Sequence, residues 1–172
     1  MSASKHSISA NLNAFLDTIT FSELGAGLIT PETDNGYKVI VGSTPKHPIL
    51  MPTYADHPRK VIEARPGIYS TAAGAYQILA RFFDAYKAQL SLPDFSPVSQ
   101  DRIAIQLIRE CHALPWVEAG YIAQALYACS SRWASLPRHS GDEHGAYGQG
   151  ANHIEGLLSV YRSFGAAIKV QH

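Results

Sequence analysis

An α+β class, dominated by helix with a small sheet region and two long loops, follows from three observations. Apolar residues recur at helical spacing in several separate segments. One segment near residue 40 is β-branched and aromatic. Two stretches, about 43–58 and 135–150, are rich in Pro, Gly and His and lack either period. The 172 residues are 46% apolar and 16% charged, an ordinary globular composition, and suffice for one domain with a real core. The expected organisation is a flexible N-terminal segment over residues 1–10 and a single domain over residues 11–172.

Taken in order, Asn11 can cap a helix whose apolar stripe is Leu12, Phe15, Leu16 and Ile19, at i, i+3, i+4 and i+7. Gly25 to Gly36 reads as a loop and Tyr37 to Gly42 as a strand. Lys60 to Ala64 is a short extended or helical piece ahead of Pro66-Gly67. The pattern turns helical from Ala72, with Leu79, Phe82, Phe83, Tyr86 and Leu90 on one face. Ser96-Pro97 reads as a cap followed by proline in the first helical position, opening a helix from Val98 to Cys111. Shorter helices follow at 115–119 and 122–131, and a last one carries Ile154, Leu157, Leu158, Tyr161 and Phe164.

The formal net charge is zero and no basic stripe appears, so electrostatic binding to nucleic acid is not expected. No apolar run is long enough to cross a bilayer, and the N-terminus lacks a signal-peptide pattern. A product made in the cytoplasm, without stable membrane association, is expected. Cys111 and Cys129 have neither metal nor haem spacing and read as reduced and partly buried. His139, Glu143, His144 and His153 are irregularly spaced in a Gly-rich stretch. They read as solvated loop residues, so no metal and no cofactor are expected.

The first helix holds the residue with most chemical promise. At about 100° per residue, Glu23 falls within about 30° of the Leu12–Ile19 stripe, while Asp17 falls on the opposite side. If the helix reaches residue 23, Glu23 faces the interior, and burial raises a carboxyl pKa toward the range useful to a general acid. If the helix stops near Thr20, Glu23 sits in a solvated turn, which is the commoner fate of Glu.

Several segments, in one order from about residue 11 to residue 165, resemble the lambda endolysin family, glycoside hydrolase family 104. They include Ala14-Phe15-Leu16-Asp17 with Phe21-Ser22-Glu23, Asn35 to Gly42, Tyr54 to Lys60 and Ser70 to Gln77. Asp94 to Asp101, Ala113-Leu114-Pro115, Trp133 to Pro137 and Tyr147-Gly148-Gln149 continue the series. The resemblance implies a lysozyme-like fold whose two long loops flank a cleft. It implies a lytic transglycosylase that cuts the β-1,4 bond between N-acetylmuramic acid and N-acetylglucosamine, leaving 1,6-anhydromuramic ends. Glu23 takes the catalytic role by position. Ser70, Tyr76, Gln77, Tyr147, Gln149, Asp56 and His57 are the implied substrate-binding residues. The implied partner is the peptidoglycan glycan strand. A monomer is expected, held in the host cytoplasm until a holin lets it reach the periplasm and wall.

Two departures from the family pattern, the longer runs Ser43–Thr53 and Arg138–Gly145, put the geometry of the loops in doubt. Taken alone, Tyr76 and Gln77 could equally be a helix-start aromatic and a surface amide. Trp133 reads as core rather than sugar platform, and Tyr147, between glycines, as the better platform. A water-using muramidase on the same scaffold and a non-catalytic wall-binding protein are the alternatives. Asp34, Asp56, Asp142 and Glu143 are the loop carboxylates from which a hydrolase would have to draw its second acid.

Overall fold

The first helix, α1, runs from Ala10 to Leu24, so it reaches past Glu23 in the computed structural model, which describes residues 8–145 and 151–169. Ser9, not Asn11, caps it: the Ser9 hydroxyl accepts the Leu12 N–H at 3.1 Å. Asn11 lies inside the helix and its side chain donates to the Glu118 carbonyl at 3.1 Å.

The expected stripe is fully buried, with Phe15, Leu16 and Ile19 at 0% exposure. Each such side chain contributes roughly 1.5–3 kcal/mol of burial. The helix is also buried where the stripe is not, at Thr18, Thr20 and Ser22. Thr18 and Thr20 donate to the carbonyls of Ala14 and Leu16 at 2.8 and 3.1 Å, which satisfies hydroxyls that have lost water.

The described residues divide into two compact units, one of residues 24–103 and one of residues 8–23 with 104–145 and 151–169. In the first unit, the hairpin β1 (Ile62–Arg65) and β2 (Ile68–Ser70) pairs antiparallel across the turn at Pro66-Gly67. The segment Lys60–Ala64 is therefore extended at its end. The expected strand Tyr37–Gly42 is not one. Only Val39 and Ile40 make single bridges, to Leu50 and Ala73. Its β-branched residues reflect burial: Val39 and Ile40 are 1% and 0% exposed.

The helix expected from Ala72 begins later, as α2 (Ala80–Leu90). Residues 72–79 instead form a tight turn in which Gly74 and Gln77 adopt left-handed φ of 80° and 48°. A Cβ on Gly74 would lie 2.1 Å from the Gln100 side-chain oxygen. That oxygen accepts the Ala75 N–H at 3.0 Å, while the Gln100 amide donates to Tyr37 and Phe95 carbonyls.

α3 (Pro97–Glu110) starts as the Ser-Pro pair predicts. The Asp94 carboxylate accepts the Ser96 N–H and the Ser99 hydroxyl, both at 2.9 Å. The chain passes from one unit to the other within this helix.

In the second unit, α4 (Leu114–Ala119), α5 (Ile122–Cys129) and α6 (Ile154–Ser163) bury Val117, Ile122, Leu126, Leu157 and Tyr161. Trp133 is buried, as a core residue should be. Cys111 is half-buried and Cys129 buried. Among the described residues no helix is long and apolar enough to cross a membrane, and no cluster of three His, Cys, Asp or Glu could hold a metal.

Candidate active site

α1 delivers Glu23 one residue before its end, next to Ser22 and on the same helical register as the buried stripe. The residue is half-buried. Its carboxyl oxygen Oε1 accepts a short hydrogen bond from the Ser135 hydroxyl. Desolvation pushes the pKa up from 4.5 to about 7, against the lowering effect of hydrogen bonds from the Ser135 hydroxyl and backbone N–H. Near neutral pH a large fraction of Glu23 therefore carries a proton.

Ser135 is itself held. The Ser22 hydroxyl donates to Ser135 Oγ at 2.8 Å, and the Asn152 amide donates to Ser22 Oγ at 2.9 Å. The same amide reaches the Ser22 and Ser135 carbonyls at 3.1 and 3.2 Å, and the Asn152 N–H donates to the Ser135 carbonyl at 2.9 Å. The donors run in one direction, from Asn152 through Ser22 and Ser135 to Glu23 Oε1. One carboxyl oxygen, Oε1, is thereby occupied by the Ser135 hydroxyl. Ser135 and Asn152 were not singled out as site residues by sequence reasoning. They lie 112 and 129 positions from Glu23, and no local pattern marks them; the only signal was that Ser135 falls within the Trp133–Pro137 segment and Asn152 shortly after Tyr147–Gln149.

The other expected residues fall differently. Ser70 ends β2, accepts the Ala72 N–H at 3.1 Å, and with Tyr69 and Arg81 lines a surface cavity of about 410 Å³ within residues 24–103. Tyr76 is 1% exposed and donates to Asp101 Oδ1 at 2.7 Å, as Tyr37 does. It is a buried support of the turn and offers no face to a sugar in this conformation. Gln77 spends its amide on the Gly74 carbonyl at 3.0 Å and stays half-buried.

His57 is 3% exposed and packs on Phe83 and Phe95, with ring centroids at 5.8 and 4.8 Å. Its Nδ1 accepts the Arg59 N–H at 3.0 Å and its Nε2 lies 2.8 Å from the Ile78 carbonyl, which fixes the neutral tautomer with the proton on Nε2. Burial lowers its pKa, only partly countered by the Ile78 carbonyl. Both ring nitrogens are thus committed to the fold. Asp56 is exposed and paired with Arg59 at 3.1 Å, which holds its carboxyl below the usual range. Tyr147 and Gln149 lie outside the described residues.

Of the candidates for a second carboxylate, Asp142 and Asp34 are likewise engaged. Asp142 accepts the Arg138 guanidinium at 2.9 Å and the backbone N–H groups of Arg138, His144 and Gly145, and these hold its carboxyl far below the ordinary range. Asp34 accepts the Tyr54 hydroxyl at 2.6 Å. Glu143 is exposed.

A family profile described as Endolysin matches residues 13–168. The endolysin of Escherichia phage lambda is 41% identical over 156 residues, covering 91% of this chain and 92% of the relative. The endolysin of Escherichia phage P2 is 45% identical over 162 residues, covering 90% and 93%. The structure of bacteriophage lambda lysozyme complexed with a chitohexasaccharide superposes with a TM-score of 0.83 at 41% identity, over 94% of this chain and 98% of that one. With a lysozyme-like α+β fold and a match over nearly its whole length, the chain belongs to the endolysin family.

Proposed function

We propose that this endolysin cleaves the glycan strands of peptidoglycan as a lytic transglycosylase, with Glu23 as its acid and then its base. An endolysin of lysozyme-like fold acts on peptidoglycan, and the amino-sugar oligomer in the lambda complex is a fitting stand-in for such a strand. The observation that carries the reading is Glu23 itself, a half-buried carboxyl with its pKa lifted to about 7 and one oxygen clamped by Ser135.

Protonated Glu23 donates to the glycosidic oxygen, and the bond to the anomeric carbon breaks with oxocarbenium character. The carboxylate then takes the proton of the muramic 6-hydroxyl as that oxygen closes on the anomeric carbon. The nucleophile is part of the substrate, so its effective molarity is high and no second residue has to hold a water. The engagement of Asp142 with Arg138 and three backbone donors favours this one-acid scheme over a hydrolase. Ser70 and the cavity it lines are proposed to contact the strand. The chain is proposed to work as a monomer, stored in the cytoplasm and released to the wall by a holin.

Mass spectrometry of sacculus digests tests the proposal. Anhydro ends are expected, and new reducing ends alone would assign a hydrolase. Glu23→Gln serves as control and should lose activity by a factor on the order of 10² or more while folding normally. Substantial clearing of sacculi by that variant would remove Glu23 from the chemistry.

A further inference from the structure

We propose that the cavity lined by Tyr69, Ser70 and Arg81 holds a carboxylate of the acidic peptide stem attached to the glycan strand, so that the enzyme reads peptide as well as sugar. The inference rests on the glycan-cleaving reading above and names the part of the substrate that this cavity takes.

The cavity, about 410 Å³, is formed by the end of β2 and the start of α2, with Val61 beside them. Thr71 Oγ1 accepts the Ala80 N–H at 3.1 Å and so joins the exit of β2 to the first residue of α2. Ser70 Oγ accepts the Ala72 N–H at 3.1 Å. A hydroxyl that accepts from the backbone keeps its own proton to give, and neither proton has an acceptor among the described residues.

Arg81 adds a cation to these two donors. Its guanidinium lies over the Phe82 ring, 4.9 Å from the centroid, and pairs with no acid among the described residues. Arg59, Arg132 and Arg138 differ in this respect, each being paired with an Asp or Glu. No carboxylate lines the cavity. Glu63, opposite Tyr69 in the hairpin, is occupied with the Gly67 N–H at 2.8 Å. An unpaired guanidinium with two hydroxyl donors calls for an anionic acceptor, and a carboxylate fits the guanidinium fork.

The rest of the lining is apolar. Val61 and Tyr69 are 65% and 64% exposed, and Leu79 lies at the same cavity. The occupant therefore carries its charge on a short aliphatic body. The sugars of a peptidoglycan strand are neutral once the muramic lactyl group is joined to peptide, and the polymer's carboxylates sit on the stem, among small apolar residues. The stem thus matches both the donors and the apolar wall.

The test is titration calorimetry of the full chain with three soluble probes, none of which contains the scissile bond. They are a disaccharide-peptide, the same molecule with its carboxylates amidated, and the bare disaccharide. The wild type should bind the carboxylate form about fivefold more tightly than the amidated form, the size of one partly exposed charge pair, and salt should shrink the difference. Arg81→Gln should bind the two forms equally, and Arg81→Lys should keep part of the preference. Equal binding of the two forms by the wild type, or a preference that survives Arg81→Gln, would overturn the proposal. So would an Arg81→Gln loss as large for the bare disaccharide as for the disaccharide-peptide, which would place a sugar in the cavity. Binding is read without turnover, so failure here is distinct from a failure to find anhydro ends.

Discussion

Glu23 is held between two opposed influences, desolvation that raises its pKa and the Ser135 donors that lower it. Removing the hydroxyl leaves desolvation less opposed. Ser135→Ala should therefore shift the alkaline fall of the pH–rate profile above its wild-type position near 7, while lowering kcat through looser aim of the carboxyl. A profile that stays in place, or moves to lower pH, would contradict the clamp. The direction in which Glu23 points was legible from a 100° projection of α1. Its partner was not, because contact between residues 112 positions apart leaves no trace in local periodicity. His57 was legible only as part of a motif. Its presence in a motif suggested a ligand contact, yet burial and two ring hydrogen bonds assign it to the fold.

At the scale of elements, the helices with clear apolar stripes were read to within a residue or two, α3 and α6 among them. The misreadings fell where composition and backbone conformation part company. Residues 72–78 contain good helix formers, but Gly74 and Gln77 in the left-handed region make a turn there. The burial of α1 beyond its apolar stripe was hidden because Thr18, Thr20 and Ser22 count as polar until their hydroxyls are seen paired. The turn makes its own prediction. Gly74→Ala meets both an unfavourable φ and the Gln100 oxygen. It should destabilise the protein by about 2–4 kcal/mol, the sum of backbone strain and an Ala75 N–H left without its acceptor. Urea titration reads this directly, and a loss under about 0.5 kcal/mol would mean that the turn rearranges freely.

For the whole molecule, the elevated pKa of Glu23 is also a statement about stability. Its folded value, about 7, exceeds the unfolded value, 4.5, so the unfolded chain releases this proton first as pH rises. The Glu23 contribution is fully present below about pH 4.5 and is lost progressively up to about pH 7. Glu23→Gln cannot ionise and escapes that loss. Relative to wild type it should gain about 3 kcal/mol between pH 4 and pH 9, as the size of the shift dictates. Equal pH dependence of the two proteins in denaturant titrations would show that the carboxyl is not desolvated. Such a trade of stability for function is the expected cost of keeping an acid in a partly dry place.

The position of Glu23 at the last turn of α1 has an electrical consequence as well. A helix carries about half a unit of negative charge at its carboxyl end. That polarity opposes an anion there and welcomes a cation. Once Glu23 has given up its proton, a positive sugar ring in front of it would feel the carboxylate and the helix terminus together. A positively charged iminosugar should therefore bind more tightly as pH climbs through 7, in titration calorimetry, whereas a neutral sugar of the same shape should not.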